Sequence, residues 1–312
     1  MNGRRPAGRS AVWLSLALLL ALLLSAPWSA SRAGVLDYCD PGVALSPAQQ
    51  DNMLRWSGLV KAELEGSGAD LALIARSGLD LSRFGLRYSH AGISLKASPG
   101  LPWAVRQLYY ACDERRPQLY DQGLAGFILG TDDPAIGYVS LVFLPPPQAS
   151  ALERVAIESS RALQILSPAY SANAYPFDLR YQNCNQWLLE LLASAWGEPP
   201  EPAETPRAAA QRWLRTQDYQ PSRFELVSPV WLLAGRLIPW VHSDDHPETD
   251  LAQAVYRVSM PASIEAFVRR MVPGASRVEL CHRGQAVVIH AGWEPIAEGC
   301  RPGPGDRVVE LR

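Results

Sequence analysis

Apolar positions along the chain alternate between helical spacing and short unbroken runs. After Ser46-Pro47, the residues Met53, Leu54, Leu59, Val60 and Leu64 keep helical spacing until Gly66 and Gly68 stop it. Serine as N-cap with proline at the first helical position predicts a helix start. Leu71-Ala72-Leu73-Ile74-Ala75 is a short apolar run ended by Ser77-Gly78, which predicts a strand. Residues 86–95 predict a second strand, Ser98-Pro99-Gly100 a turn, and Trp103 to Tyr110 a returning strand. The predicted hairpin carries His90 on its first arm and Gln107 on its second.

The run Ile136 to Leu144 stops at Pro145-Pro146-Pro147, and Ala149 to Leu166 is helical in spacing through Leu152, Val155, Ala162 and Leu163. A further helix begins near Asn183, with Cys184, Leu188, Leu191 and Ala195 on one face and Trp187 against Leu191. Gly197 and Glu198-Pro199-Pro200-Glu201-Pro202 end it as a linker. Beyond lie predicted helices over 205–215 and 261–271 and a β-rich tail from Val278 to Leu311. Short strands and helices in mixed order predict an α+β fold, not a doubly wound sheet.

The N-terminus has a different character. Arg4, Arg5 and Arg9 precede an apolar run through Leu24, and Ser31 and Ala33 have the spacing of a cleavage site. Residues 1–33 are thus a predicted signal peptide, with an apolar run too short to remain as a stable membrane span. Residues 34–200 are expected to form the main domain. Residues 201–312 would be a linker and α+β extension, separate or part of the same domain. Removing the leader takes away four arginines and no acids, moving the formal charge from -2 to about -6. No basic stripe remains, which argues against a nucleic-acid partner. No cofactor is expected.

Export makes the cysteine count informative, because five thiols leave one over. Cys281 and Cys300 flank a strand-turn-strand pattern and suit a local disulfide; Cys39 with Cys112 is a second plausible pair. Spacing alone leaves the connectivity open. That pairing frees Cys184, at the start of a predicted helix, where backbone amides favour the reactive thiolate. A thiol nucleophile needs a base and an orienting group. Among the five histidines, His242 and His246 share a polar loop with Asp244 and Asp245; they would bind metal only on a helix, and no metal site is expected. His282 is expected at the surface, and His290 is either a buried structural residue or a competing base. His90 lies beside Ala91 and Gly92, small residues that leave room for close approach.

Ser89-His90-Ala91-Gly92-Ile93 on a strand, followed by Asn183-Cys184-Asn185-Gln186-Trp187 opening a helix, resembles the circularly permuted branch of the NlpC/P60 thiol-hydrolase superfamily. That branch includes lecithin:retinol acyltransferase-like proteins. From Cys39 to near the C-terminus the chain also resembles a bacterial secreted family catalogued as domain of unknown function 2145. The first resemblance implies a papain-like core with a Cys-bearing helix packed on an antiparallel sheet. It implies Cys184 as nucleophile, His90 as general base and, on the strand after the His strand, Gln107 as the polar third member. Relatives use His, Glu, Asp or Asn at that third position, so Gln107 is a departure and a weaker orienting group. Tyr109, Asn183 and Trp187 are candidates for the substrate cleft, although Asn183 and Asn185 also suit helix capping. The activity implied is acyl transfer or hydrolysis at an amide or ester of a cell-envelope peptide or lipid-like substrate in the periplasm. The alternative is a non-catalytic envelope protein that keeps the fold for binding or assembly.

Overall fold

The computed structural model describes residues 45–111, 114–226 and 238–311. The predicted signal peptide and the proposed Cys39–Cys112 pair fall outside the described residues.

Helix α1 (Pro47–Gly66) starts as its sequence predicts: Ser46 Oγ accepts from the Gln49 N–H at 3.3 Å, and Gln49 Oε1 accepts from the Ser46 N–H at 2.9 Å. This reciprocal pairing satisfies two donors that helix geometry leaves open. Strand β1 (Leu71–Arg76) follows, then β2 (His90–Leu95) and β3 (Ala104–Ala111). Residues 86–89, expected to be strand, are irregular, and Trp103, with φ at 65°, closes the turn instead of opening the strand. β4 (Arg116–Gln122) and the short α2 (Leu124–Leu129) are among the elements with no counterpart in the sequence reading.

After β5 (Ile136–Phe143), the predicted long helix is two, α3 (Pro146–Ile157) and α4 (Ser159–Gln164), broken where Glu158 takes ψ 96°. The break frees carbonyls, and the Arg106 guanidinium donates to those of Ala156 and Ile157. Next come α5 (Cys184–Trp196), α6 (Pro206–Thr216), β6 (Ser222–Glu225), α7 (Glu248–Ala252), β7 (Val255–Val258) and α8 (Pro261–Met271). The tail supplies β8 (Ser276–Arg283), β9 (Ala286–Ala291) and β10 (Arg307–Glu310).

One antiparallel sheet runs in the order β10-β9-β8-β5-β1-β2-β3-β4, and β6 pairs with β7 in a second. The tail strands enter the main sheet through β8 beside β5, so the segment from Ser276 to Glu310 completes the same sheet. The fold is α+β. Central β1 shows why its sequence is an unbroken apolar run. Ala72 and Ile74 pack with Trp56, Val60 and Phe127 under α1 and α2, while Leu71, Leu73 and Ala75 pack under α3, α5 and α8 on the opposite face. A strand covered on both faces has no polar side to alternate with.

Helix α5 is the most enclosed: every residue from Cys184 to Ala193 is buried, including Asn185, Gln186 and Glu190. Its Leu188 and Leu191 are fully covered, each burial worth about 1.5–3 kcal/mol. Cys281 and Cys300 are joined as a disulfide with Cα atoms 5.8 Å apart. His282 is a correction: it is 1% exposed, because β8 is an interior strand and Trp56 of α1 covers the ring at 5.1 Å between centroids. Among the described residues, no helix is long and apolar enough to cross a membrane.

Candidate active site

His90 opens β2 and is the cross-strand partner of Arg76, the last residue of β1. On the other side β3 runs antiparallel, with Ile93 opposite Arg106, so Gly92 faces Gln107. A Cβ at position 92 would lie 2.7 Å from Val105 Cγ1 and 2.9 Å from the Arg106 carbonyl. Glycine there lets β2 and β3 close up. His90 Nε2 then meets Gln107 Oε1 at 2.5 Å. An amide oxygen can only accept, so Nε2 carries the proton and Nδ1 keeps the lone pair. The amide is turned that way by its other end: Gln107 Nε2 donates to Gln122 Oε1 at 2.6 Å. The ring also lies against Phe127 of α2, with centroids 5.8 Å apart.

Cys184 is the first residue of α5 and the free cysteine among the described residues. Asn183 caps the helix, Oδ1 accepting from the Gln186 N–H at 2.7 Å, and its Nδ2 donates to the Ala172 carbonyl at 3.2 Å. Asn185 Nδ2 donates to the Ser89 carbonyl at 3.2 Å, tying the start of α5 to the residue before His90. The thiol packs in the same apolar cluster as Ala91 and Ile93, whereas His90 shares its strand face with Gly92 and Gln107. No hydrogen bond joins the Cys184 sulfur to the imidazole.

Electrostatics explain what kind of pair this is at rest. Burial pushes the Cys184 thiol up to about 12, against the weaker opposing pull of the Asn185 amide and Arg76. The helix start does favour the thiolate, as its position suggests, but desolvation outweighs it. Burial also lowers His90 to about 3, Arg76 pushes in the same direction, and only the Gln107 bond opposes them. Both groups are therefore neutral. The Arg76 charge acts on each, disfavouring the imidazolium and favouring the thiolate.

The remaining candidates divide. Trp187 is fully buried and its indole N–H donates to the Ala162 carbonyl at 3.2 Å, packing α5 in the core. Asn183, 1% exposed, has both ends of its amide engaged in capping α5 and holding the Ala172 carbonyl. Tyr109 is half-buried on β3, on the Gln107 side, edge-on to Tyr120 at 5.9 Å. His290 pairs with Asp306 at 2.6 Å within the β9–β10 region. His242 stacks on Tyr181 and His246 meets the Asn173 carbonyl at 2.8 Å, both from a non-helical loop. A cleft of about 820 Å³ between residues 177–180 and α6 is lined by neither Cys184 nor His90.

Sequence reasoning missed Arg76 and Gln122. Arg76 had a signal, a single charge directly after the apolar run of β1; Gln122 lies on a strand too polar to be recognised.

No curated protein and no solved structure matches the chain. A family model does, over residues 63–268, a span that holds His90, Gln107 and Cys184. The chain therefore belongs to the family described as uncharacterized proteins conserved in bacteria, DUF2145.

Proposed function

We propose that this chain is a secreted bacterial thiol hydrolase or acyltransferase acting on an amide or ester of the cell envelope, built on a permuted NlpC/P60, papain-like core. The observation that carries the reading is the Gln122–Gln107–His90 relay, which leaves Nδ1 as the basic nitrogen of a ring whose preceding residue, Ser89, is tied to the Cys184 helix by Asn185. The disulfide of Cys281 with Cys300 suits an oxidising compartment such as the periplasm.

In this mechanism His90 Nδ1 takes the thiol proton as Cys184 sulfur bonds to the substrate carbonyl carbon. The Cys184 backbone N–H, at the start of α5, supports the oxyanion. The C–N or C–O bond then breaks, and the proton on Nδ1 goes to the leaving group. Water, or another acceptor, loses a proton to Nδ1 and cleaves the thioester. Gln107 holds the Nε2 proton of the resting ring, fixing its tautomer, and is not itself consumed. Burial holds the thiol up and the imidazole down. The thiol packs on the Ala91 and Ile93 face of β2 and the ring lies on the Gly92 face, so the imidazole must turn round the start of β2 to reach the sulfur, and substrate or water must relieve the desolvation. Catalytic contacts are commonly long before substrate binds.

Intact-mass analysis of the mature protein treated with p-nitrophenyl acetate tests this reading. The expected result is a hydroxylamine-labile acetyl adduct on Cys184, absent in Cys184→Ser and formed about 10²–10⁴ times more slowly in His90→Ala. Equal rates in wild type and His90→Ala would overturn it. That outcome would favour the second reading, a non-catalytic envelope protein, which is supported by the packing of the thiol and the imidazole against different faces of β2.

A further inference from the structure

The approach to Cys184 is held by a buried ion pair from beyond the linker. Glu190 of α5 is fully buried, and Arg207 of α6 is 7% exposed. Arg207 Nε donates to Glu190 Oε2 at 2.8 Å and Nη2 to Oε1 at 3.1 Å. Three amides complete the carboxylate's shell: Gln182 Nε2 on Oε2 at 2.5 Å, and Gln186 and Gln211 Nε2 on Oε1 at 3.0 and 2.8 Å. Such saturation is what a buried carboxylate needs to remain charged.

The guanidinium does more than neutralise Glu190. Its Nη1 donates to the Leu179 carbonyl at 2.8 Å and its Nη2 to the Tyr181 carbonyl at 2.9 Å. Gln182, next in sequence, accepts from the Ser167 N–H at 2.9 Å and donates to the Ile165 carbonyl at 2.9 Å. Asn183 is the cap, and Cys184 follows. Residues 179, 181, 182 and 183 are thus each fixed by a hydrogen bond, two of them to one side chain of α6.

We propose that Arg207 is the positioning residue of the thiol: by holding Leu179, Tyr181 and Glu190 together it sets where the chain enters α5 and so where the Cys184 sulfur stands. The proposal rests on Cys184 being the nucleophile. It assigns the segment beyond residue 200 a part in the site, although nothing from that segment is among the three side chains of the proposed triad. Lysine at 207 would keep the charge opposite Glu190 but lacks the planar fork needed to hold two carbonyls as well.

The test is the rate of Cys184 alkylation by iodoacetamide against pH, read by peptide mass spectrometry on the folded mature protein, in wild type, Arg207→Lys and Glu190→Gln. Melting temperatures are recorded alongside. Glu190→Gln keeps the side-chain volume and an acceptor oxygen, so it carries the test should Arg207→Lys fail to fold. Displacement of the sulfur is expected to change the rate at fixed pH by about fivefold or more and to move the profile's midpoint, in the same direction in both variants. A lower melting temperature with a wild-type alkylation profile would mean that the pair only stabilises the fold, and would overturn the proposal. The enzyme reading fails separately. Alkylation that responds to Arg207 in a protein that forms no acyl adduct would leave the positioning role standing and remove the catalysis.

Discussion

Gln107 Oε1 lies 2.5 Å from His90 Nε2, and its own amide is turned by Gln122. The imidazole is thereby fixed in one tautomer by a neutral partner. A carboxylate in that position would stabilise the imidazolium far more than an amide does. Burial first, and Arg76 second, outweigh the Gln107 bond, which is why His90 stands near 3 and not near its ordinary value of 6.5.

Gln107→Glu separates orientation from charge. A carboxylate in hydrogen-bond reach should raise the His90 pKa by about 1–3 units, since an opposite charge at that distance favours the charged form. Proton NMR of the His90 ring across pH measures it directly. Gln107→Leu should leave the largely enclosed His90 Nε2–H without its acceptor, cost about 1–3 kcal/mol in urea unfolding, and slow acyl-adduct formation.

Stability should fall on both sides of neutrality for two identifiable reasons. His90 is depressed from 6.5 to about 3, so below 6.5 the unfolded chain takes up a proton that the folded one refuses. Stability contributed by the neutral ring is full above 6.5 and is lost as pH falls toward 3. Cys184 is raised from 9.0 to about 12, so above 9 the unfolded chain loses a proton that the folded one keeps. That contribution is full below 9 and is lost as pH rises toward 12. Each limb should approach about 1.4 kcal/mol per pH unit. Urea midpoints should show a shallower acid limb in His90→Gln and a shallower alkaline limb in Cys184→Ala, with the other limb unchanged in each.

How much of this could be read from the chain depends on which interactions are local. The α1 start was legible because its N-cap Ser46 and the proline at its first position adjoin in sequence, and β1 because burial on both faces leaves an unbroken apolar run. The His90–Gln107 contact was legible because a hairpin brings its arms together by sequence distance alone. Glu158 gave no sign of breaking a helix, since the donor that takes the freed carbonyls is Arg106, about fifty residues away in sequence. His282 looked like a surface residue because its neighbours in sequence do not reveal that Trp56 covers it. The expected thiolate at Cys184 depended on how deeply the α5 start would be enclosed, which no local pattern sets.

Reducing the Cys281–Cys300 bond should cost stability without opening the proposed active site. The disulfide spans 19 residues of the tail, a loop whose closure is worth about 3 kcal/mol in the unfolded chain. It lies on β8 and the segment after β9, away from the β2–β3 hairpin in the strand order. A Cys281→Ser/Cys300→Ser double variant should unfold at lower urea yet form the acetyl adduct on Cys184 at the wild-type rate under native conditions.

Gly92→Ala is the most economical probe of the hairpin's role. The added methyl would meet Val105 Cγ1 at 2.7 Å, the Arg106 carbonyl at 2.9 Å and Gln107 Cβ at 3.2 Å. The valine methyl can turn away, but the carbonyl belongs to the β3 backbone, so the strands themselves must separate. Overpacking of this kind costs about 1–3 kcal/mol. Separation would lengthen the His90–Gln107 bond first, because both residues share the strand face that carries the new methyl. The expected result is a melting temperature lowered by several degrees for that loss, and an acyl-adduct rate reduced as far as in Gln107→Leu. Combining Gly92→Ala with Gln107→Leu should then add little further loss of rate, because both changes release the same ring. A double variant whose rate falls by the product of the two single losses would show that Gly92 acts on the site by a route other than the Gln107 bond.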